Sequence, residues 1–322
     1  MQKLFKAAVV AVISSLALAG CAPTSDPKSV VLITHDSFVI SDELKKEFEA
    51  DSGYKLKLVK AGDTGSMTNK LILTKDQPIG DAVFGIDNTL LDLAAENGLT
   101  DGELSPIDFG DVCFNYDIDW FASRKMPVPE NIRDLVKKNY KNLTVVSNPA
   151  TSSSGMAFLG TTIAVFGEEG YLDYWTRLKN NGLKVVAGWE DAYFTEFSGS
   201  SGKGKYPIVL SYSSSPSAEI RDNGKSQTAS IRSDCYRQTE FAGVLAGAKN
   251  PAGAKALVEF LKSASFQAAL PTNMYVYPID SNIALPETWT KFAPAALTLV
   301  GEELDVAGNR KVWLAAWSAL FE

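Results

Sequence analysis

Short apolar runs alternate with amphipathic stretches along most of this chain. Residues 30–34 (VVLIT) form a run of the kind found in a strand buried on both faces, and residues 55–60 (KLKLVK) alternate with a period of two. Between them Ser41 stands where an N-cap belongs, with Asp42 and Glu43 in the first turn of a helix predicted to run toward Gly53. Met67 and Leu71 share one helical face, residues 81–85 (DAVFG) read as another strand, and a helix from about Thr89 stops at Gly98, a favourable residue just past a helix end. Further strands are expected at 143–147, 184–187 and 208–211, an extended segment at 232–243, and helices from near Gly155 and after Pro251. The chain closes with an amphipathic helix near 306–321, where Trp313 and Trp317 lie one turn apart and read as packing residues. Repeated strand–helix units of this kind predict an α/β fold, a mostly parallel sheet with helices on both faces. No internal repeat is present; residues 198–205 (SGSSGKGK) read as a surface loop or hairpin.

The first residues carry a different pattern. Lys3 and Lys6 precede an apolar run over 7–20 that is shorter than the ~20 residues a membrane span needs and ends in small residues, as an export signal does. Leu18-Ala19-Gly20-Cys21 matches the bacterial lipobox. This predicts a signal peptide at 1–20, lipidation of Cys21 and a polar tether over 21–29; an ordinary signal peptide that carries a cysteine at its cleavage site is the alternative. A protein anchored this way sits on the extracytoplasmic face of the cell membrane, with no other membrane contact and a water-soluble remainder of about two domains.

Charge and cysteine content narrow the function. The formal net charge is −7, and loss of Lys3 and Lys6 would take it to −9, which argues against nucleic acid or an anionic membrane face as partner. Outside Cys21 only Cys113 and Cys235 remain; in an oxidising compartment two such residues pair, the alternative being two buried free thiols. One histidine, His35, and these cysteines offer no zinc constellation and no Cys–His nucleophile. Neither a G-x-S-x-G elbow nor a GxxxxGK[ST] phosphate loop occurs, so the chain is expected to bind rather than catalyse, without a cofactor. Ligands of open α/β sheets sit beyond the carboxyl ends of strands. Polar clusters recur there: His35-Asp36-Ser37, Asp63 to Ser66, Asp87-Asn88, Thr151 to Gly155 and Tyr212 to Pro216.

A set of blocks in fixed order then gives the chain a relative. His-Asp-Ser-Phe (35–38), Gly-Ile-Asp-Asn (85–88), Asn-Pro-Ala-Thr-Ser (148–152), Gly-Trp-Glu-Asp-Ala-Tyr (188–193), Val-Leu-Ser-Tyr (209–212), Ser-Pro (215–216) and Phe-Gln-Ala-Ala-Leu-Pro-Thr (266–272) make it resemble the thiamine-binding proteins of ABC importers, within the two-lobed periplasmic solute-binding proteins. The resemblance implies a type II fold, with lobe I at 30–113 and 236–322, lobe II at 114–235, and hinge strands near 113–117 and 230–236 that Cys113 and Cys235 would flank. It implies a monomer that captures thiamine, or a phosphate of it, and hands it to a permease served by ATPase subunits. Trp189 and Tyr212 would face the cationic thiazolium. Asp63 and Thr64 would meet the aminopyrimidine or its charge, Ser152 and Ser153 the hydroxyethyl arm or its phosphate at a helix start. Ser213, Ser214 and Ser215 would add hydroxyls, with His35, Asp36 and Tyr275 completing the set. Taken singly, Trp189 reads as core, Ser152 and Ser153 as N-caps and Asp63 as a turn residue. His35 and Tyr275 stand where the family has other aromatics, and Ala218 where an aromatic follows Ser-Pro. The same fold serves ferric-binding relatives through clustered tyrosines; here Val276 separates Tyr275 from Tyr277, so another solute, ferric ion or a thiamine-related pyrimidine or thiazole, is the alternative cargo.

Overall fold

A computed structural model describes residues 28–200 and 203–321. The expected signal peptide, Cys21 and most of the expected tether lie outside the described residues. The tether ends earlier than expected, because Ser29 already opens the first strand, β1 (Ser29–Thr34). β1 pairs in parallel with β2 (Lys55–Lys60) and β3 (Ala82–Asp87). The helix α1 (Asp42–Ser52) is capped by the Ser41 hydroxyl on Leu44 N and ended by Gly53. Two more helices, α2 (Thr64–Leu73) and α3 (Leu91–Glu96), cover the opposite face of these strands, burying Met67 and Leu71.

The middle of the sheet departs from the parallel expectation. β4 (Ser105–Asp117) and β8 (Thr228–Val244) are the longest strands and run antiparallel to each other. Apolar patterning hides the first part of β4, because Asp108, Gly110 and Asp111 interrupt it. Asp111 is buried nonetheless, holding Arg237 Nε at 2.8 Å and Ala296 N at 2.9 Å. The parallel pairs lie at the two ends: β5 (Thr144–Ser147) with β6 (Lys184–Val186) and β7 (Ile208–Tyr212) on one side, β1–β3 on the other. One mixed sheet results, in the order β2-β1-β3-β8-β4-β7-β5-β6, with the short β9 (Tyr277–Pro278) on β4. Where β4 and β8 pass Cys113 their register breaks, so that Val112 faces Tyr236 but Phe114 faces Ile231. Cys113 is disulfide-bonded to Cys235 at this break.

The two largest cores flank the central strands. One packs α1, α6 (Pro251–Leu261) and α7 (Ala264–Asn273) on β1, β3 and the end of β8. The other takes Phe121 from α4 (Ile118–Arg124), surrounds α5 (Ser153–Asn180), a helix broken at Gly167, and buries Phe158, Tyr174 and Trp175. After the short α8 (Glu287–Phe292) comes α9 (Val306–Phe321), and its placement corrects the expected lobe boundary. Trp313 and Trp317 pack into the core of α5, with the Trp317 ring edge-on to Trp175 at 5.5 Å and Trp313 Nε1 donating to Glu168. The C-terminal helix therefore belongs with lobe II rather than with the 236–322 portion of lobe I. An amphipathic pattern states that a helix has an apolar face, not which of two cores receives it.

Candidate functional site

The carboxyl ends of β1, β2, β6 and β7 converge on a cavity of about 340 Å³. Strand direction brings together His35 after β1, Asp63 after β2, Trp189 after β6 and Tyr212 at the end of β7. Asp63 is the centre of this arrangement. As N-cap of α2 its Oδ1 accepts from Thr64 N at 2.7 Å, and the same oxygen accepts from Ser153 N at 3.3 Å. Its Oδ2 accepts from Trp189 N at 2.8 Å. One carboxylate thus ties the start of α2 to two segments of the other half. The approach is close: a Cβ on Gly65 would stand 2.8 Å from the Thr151 carbonyl carbon, and Ser66 N donates to Thr151 O. Burial raises Asp63 above the usual carboxylate range, against the lowering pull of the Trp189 N–H and Ser152.

The aromatic wall comes from the β6–β7 side. Trp189 stacks on Tyr193 at 4.9 Å and 17°, meets Phe194 edge-on at 5.5 Å, and fixes its Nε1 on Ser211 Oγ at 2.9 Å. A π-helical turn over Asp191–Glu196 delivers Tyr193 and Phe194 to the same side. Tyr212 lies 6.2 Å from Trp189 and donates its hydroxyl to Gln238 Oε1, whose amide in turn donates to Ser153 Oγ. Opposite, Tyr275 closes the cavity from the loop after α7. Its backbone sits at φ 57°, a left-handed conformation unusual for an aromatic residue, and Ser214 Oγ donates to its carbonyl at 2.6 Å.

Carboxylates complete the lining. Glu219 accepts from Tyr193 Oη at 3.0 Å, and burial raises its carboxyl above the ordinary value. Glu240 Oε1 stands 3.2 Å from His35 Nε2. Burial alone would lower His35, but the Glu240 carboxylate, helped by Asp63 and Asp36, carries it above its usual value. The imidazole fits only because residue 85 is glycine, where a Cβ would stand 2.3 Å from His35 Cδ2. Behind Glu240, burial and the Glu240 carboxylate push Asp108 far above the carboxylate range.

The sequence profile of the bacterial extracellular solute-binding proteins matches residues 76–294. The chain belongs to that family. It is 30% identical to the thiamine-binding periplasmic protein of Escherichia coli (strain K12) over 319 residues, 92% of this chain and 94% of that one. It is 29% identical to the protein of the same name from Brucella suis biovar 1, over 95% of this chain and 96% of the relative. Among solved structures a periplasmic thiamin binding protein superposes with a TM-score of 0.78 at 29% identity, over 91% of this chain and 96% of that one. A ferric binding protein from Campylobacter jejuni superposes with a TM-score of 0.71 at 17% identity, over 90% of this chain and 99% of that one, a likeness of fold alone.

In this solute-binding protein His35, Asp63, Thr64, Ser153, Trp189, Tyr212, Ser215 and Tyr275 line the cavity. Asp36 does not; its Oδ1 accepts from Gly62 N and its side chain faces an adjoining cleft shared with Asp63 and Trp189. Ser152 is the N-cap residue of α5 but makes no side-chain cap bond, its hydroxyl lying 3.1 Å from Ser154 Oγ. Ser213 is buried behind the wall with its N–H on Asp111 O, and Ser214 acts through the Tyr275 carbonyl. Of the two tyrosines weighed for ferric ion, Tyr277 is buried against Phe109 and Trp289, outside the cavity. Ser37, from the polar cluster after β1, lines the cavity too, and so do Tyr193, Phe194, Glu219, Glu240 and Met274, which no sequence pattern marked as site residues. Tyr193 lay inside the quoted 188–193 block, and Glu219 follows Ala218 directly, so both were within reach. Glu240 sits mid-pattern in β8 with no local signal.

Proposed function

We propose that this chain captures thiamine, or a thiamine phosphate, outside the cytoplasm and delivers it to the membrane subunits of an ABC importer. The observation that carries this reading is the cavity itself, which sets the Trp189 and Tyr212 rings beside the Asp63, Glu219 and Glu240 carboxylates. A permanently cationic heteroaromatic ring needs both: π-faces attract the cation by about 0.5–2 kcal/mol each, and buried carboxylates offset its charge. The names of the relatives point to the same ligand. Binding rather than catalysis fits this site, because each cavity carboxylate is engaged by donors from the chain or by His35. The lipobox at Cys21 would keep the protein, as a monomer, within tether's reach of its importer.

Isothermal titration of the folded chain with thiamine, together with tryptophan fluorescence, tests the reading. Saturable heat with one ligand per chain and quenched emission are expected; flat titrations with thiamine and both its phosphates would end it.

A further inference from the structure

We infer, resting on the cargo reading above, that His35 is a resident cation for Glu240, and that capture of the cargo drives a proton off its imidazole into solvent. The chain has one histidine, and it lines the cavity beside an acid. Its Nε2 stands 3.2 Å from Glu240 Oε1, and both side chains are almost wholly shielded from water. A carboxylate in such a place is costly unless a positive group offsets it, and an imidazolium at that distance does so. The ring has little room to swing away. It packs on Phe84 with centroids 5.6 Å apart, and a Cβ at residue 85 would stand 2.3 Å from its Cδ2. Its charge can therefore leave the site only as a proton.

The groups around the ring set the direction of the effect. Burial opposes the charged imidazole, yet Glu240 from β8, Asp63 at the start of α2 and Asp36 beside it in the chain favour that form. Behind Glu240 lie Asp108 on β4 and Asp87 on β3, and Arg310 of α9 partly offsets Asp87. Lys60 of β2 donates to the Asp36 carbonyl at the outer edge. Across the cavity, burial and then the Glu240 and Asp63 carboxylates hold the Tyr212 hydroxyl well above its ordinary value. The ring assigned to the cargo's charge thus shares the field of the carboxylates that His35 answers in the empty site. A permanent cation seated there meets those carboxylates and repels the imidazolium. The cargo cannot give up its charge, whereas the imidazolium can. By reciprocity, a proton on His35 weakens the cargo as much as the cargo weakens the proton. Cargo affinity is therefore greatest above the empty-site pKa of His35 and declines as pH falls through it. On this assignment His35 is a positioning residue that acts through Glu240.

A lone histidine gives a direct readout. The untagged wild-type chain, carrying isotope-labelled histidine, is titrated with acid and base by NMR, alone and saturated with thiamine. Saturation is expected to lower the His35 pKa by about one unit or more. Calorimetry of thiamine binding in two buffers of different ionisation enthalpy should show protons released, and affinity should fall about tenfold between pH 8 and pH 6. His35→Gln keeps a donor for Glu240 but takes no proton. In that variant the fall with pH should shrink to what the neighbouring carboxylates, Asp63, Glu219 and Asp87, contribute. A His35 pKa that saturation leaves unchanged, or a pH profile in His35→Gln as steep as in wild type, would overturn the inference and leave the cargo reading standing. No saturable thiamine binding by wild type at pH 8 would remove the cargo reading and this inference together.

Discussion

The two sides of the cavity are built from different chemistry. The side formed by β1, β2 and β8 supplies His35, Asp63 and Glu240; the side formed by β6, β7 and the turn between them supplies Trp189, Tyr193, Phe194 and Tyr212. Charge on the first side is pinned by local geometry, a helix cap for Asp63 and an ion pair for Glu240. The rings on the second side are held by one another, by the Ser211 hydroxyl that accepts from Trp189 Nε1 and by the Gln238 amide oxygen that accepts from Tyr212. Glu219 is a carboxylate on the aromatic side, where it accepts from Tyr193 Oη, and Tyr275 is a ring from the segment after α7, tied through its carbonyl to Ser214. On the proposed function this is a division of labour: the acidic side would set which charge is admitted, and the aromatic side would supply flat apolar area for a ring.

The strongest challenge to this division is Trp189→Ala. It removes the broadest π-face and frees Tyr193 of its stacking partner, so thiamine affinity should fall by about 2–3 kcal/mol, near a hundredfold, with a smaller loss in the unfolding midpoint from the lost packing. Titration calorimetry beside a thermal melt checks both; an unchanged affinity would place the ring surface elsewhere. Asp63→Asn probes the other side. The amide can keep Oδ1 as acceptor for Thr64 N and Ser153 N but presents a donor to Trp189 N, where a carboxylate now accepts. Loss of that bond and of the charge should weaken thiamine about tenfold and cost about 1–2 kcal/mol of stability, read by denaturant titration.

The smallest expected effect concerns a carboxyl behind the acidic side. Burial raises Asp87 from 3.8 to about 7. The folded chain then holds a proton that the unfolded chain releases, so the stability it contributes is present below about pH 4 and is lost as pH rises toward 7. Asp87→Asn keeps an acceptor for Thr89 N and Oγ1 and has no proton to lose. Its midpoint should match wild type near pH 4 and exceed it by several degrees at pH 8, measured by thermal melts across that range. Parallel curves at every pH would show that Asp87 does not carry this penalty.

Much of the site was legible because its parts are local. Ser41 and Gly53 bound α1, and Asp63 stands just before a helix start, where a short acidic side chain belongs. His35 follows an apolar run directly, Tyr212 ends a strand and Asp63 stands three residues past the alternating 55–60 segment, so the rule that ligands sit beyond strand ends reached them from the sequence. Glu240 could not be found this way, because it lies inside a strand and its meaning depends on His35, 205 positions earlier in the chain and 3.2 Å away in space. Ser213 shows the reverse error: it shares a segment with Tyr212 and Ser215, yet it is buried behind them.

What the sequence by itself determined were the elements and their caps, since these depend on period, on turn chemistry and on backbone donors a few residues apart. Only the tertiary structure decided the partners. The antiparallel pairing of β4 with β8, the docking of α9 on α5, and the reach of Asp63 to Ser153 N and Trp189 N all join residues distant in sequence. Such contacts form because two apolar faces, or a buried carboxylate and unsatisfied amides, have no better partner once the chain is compact, and no local pattern encodes that choice.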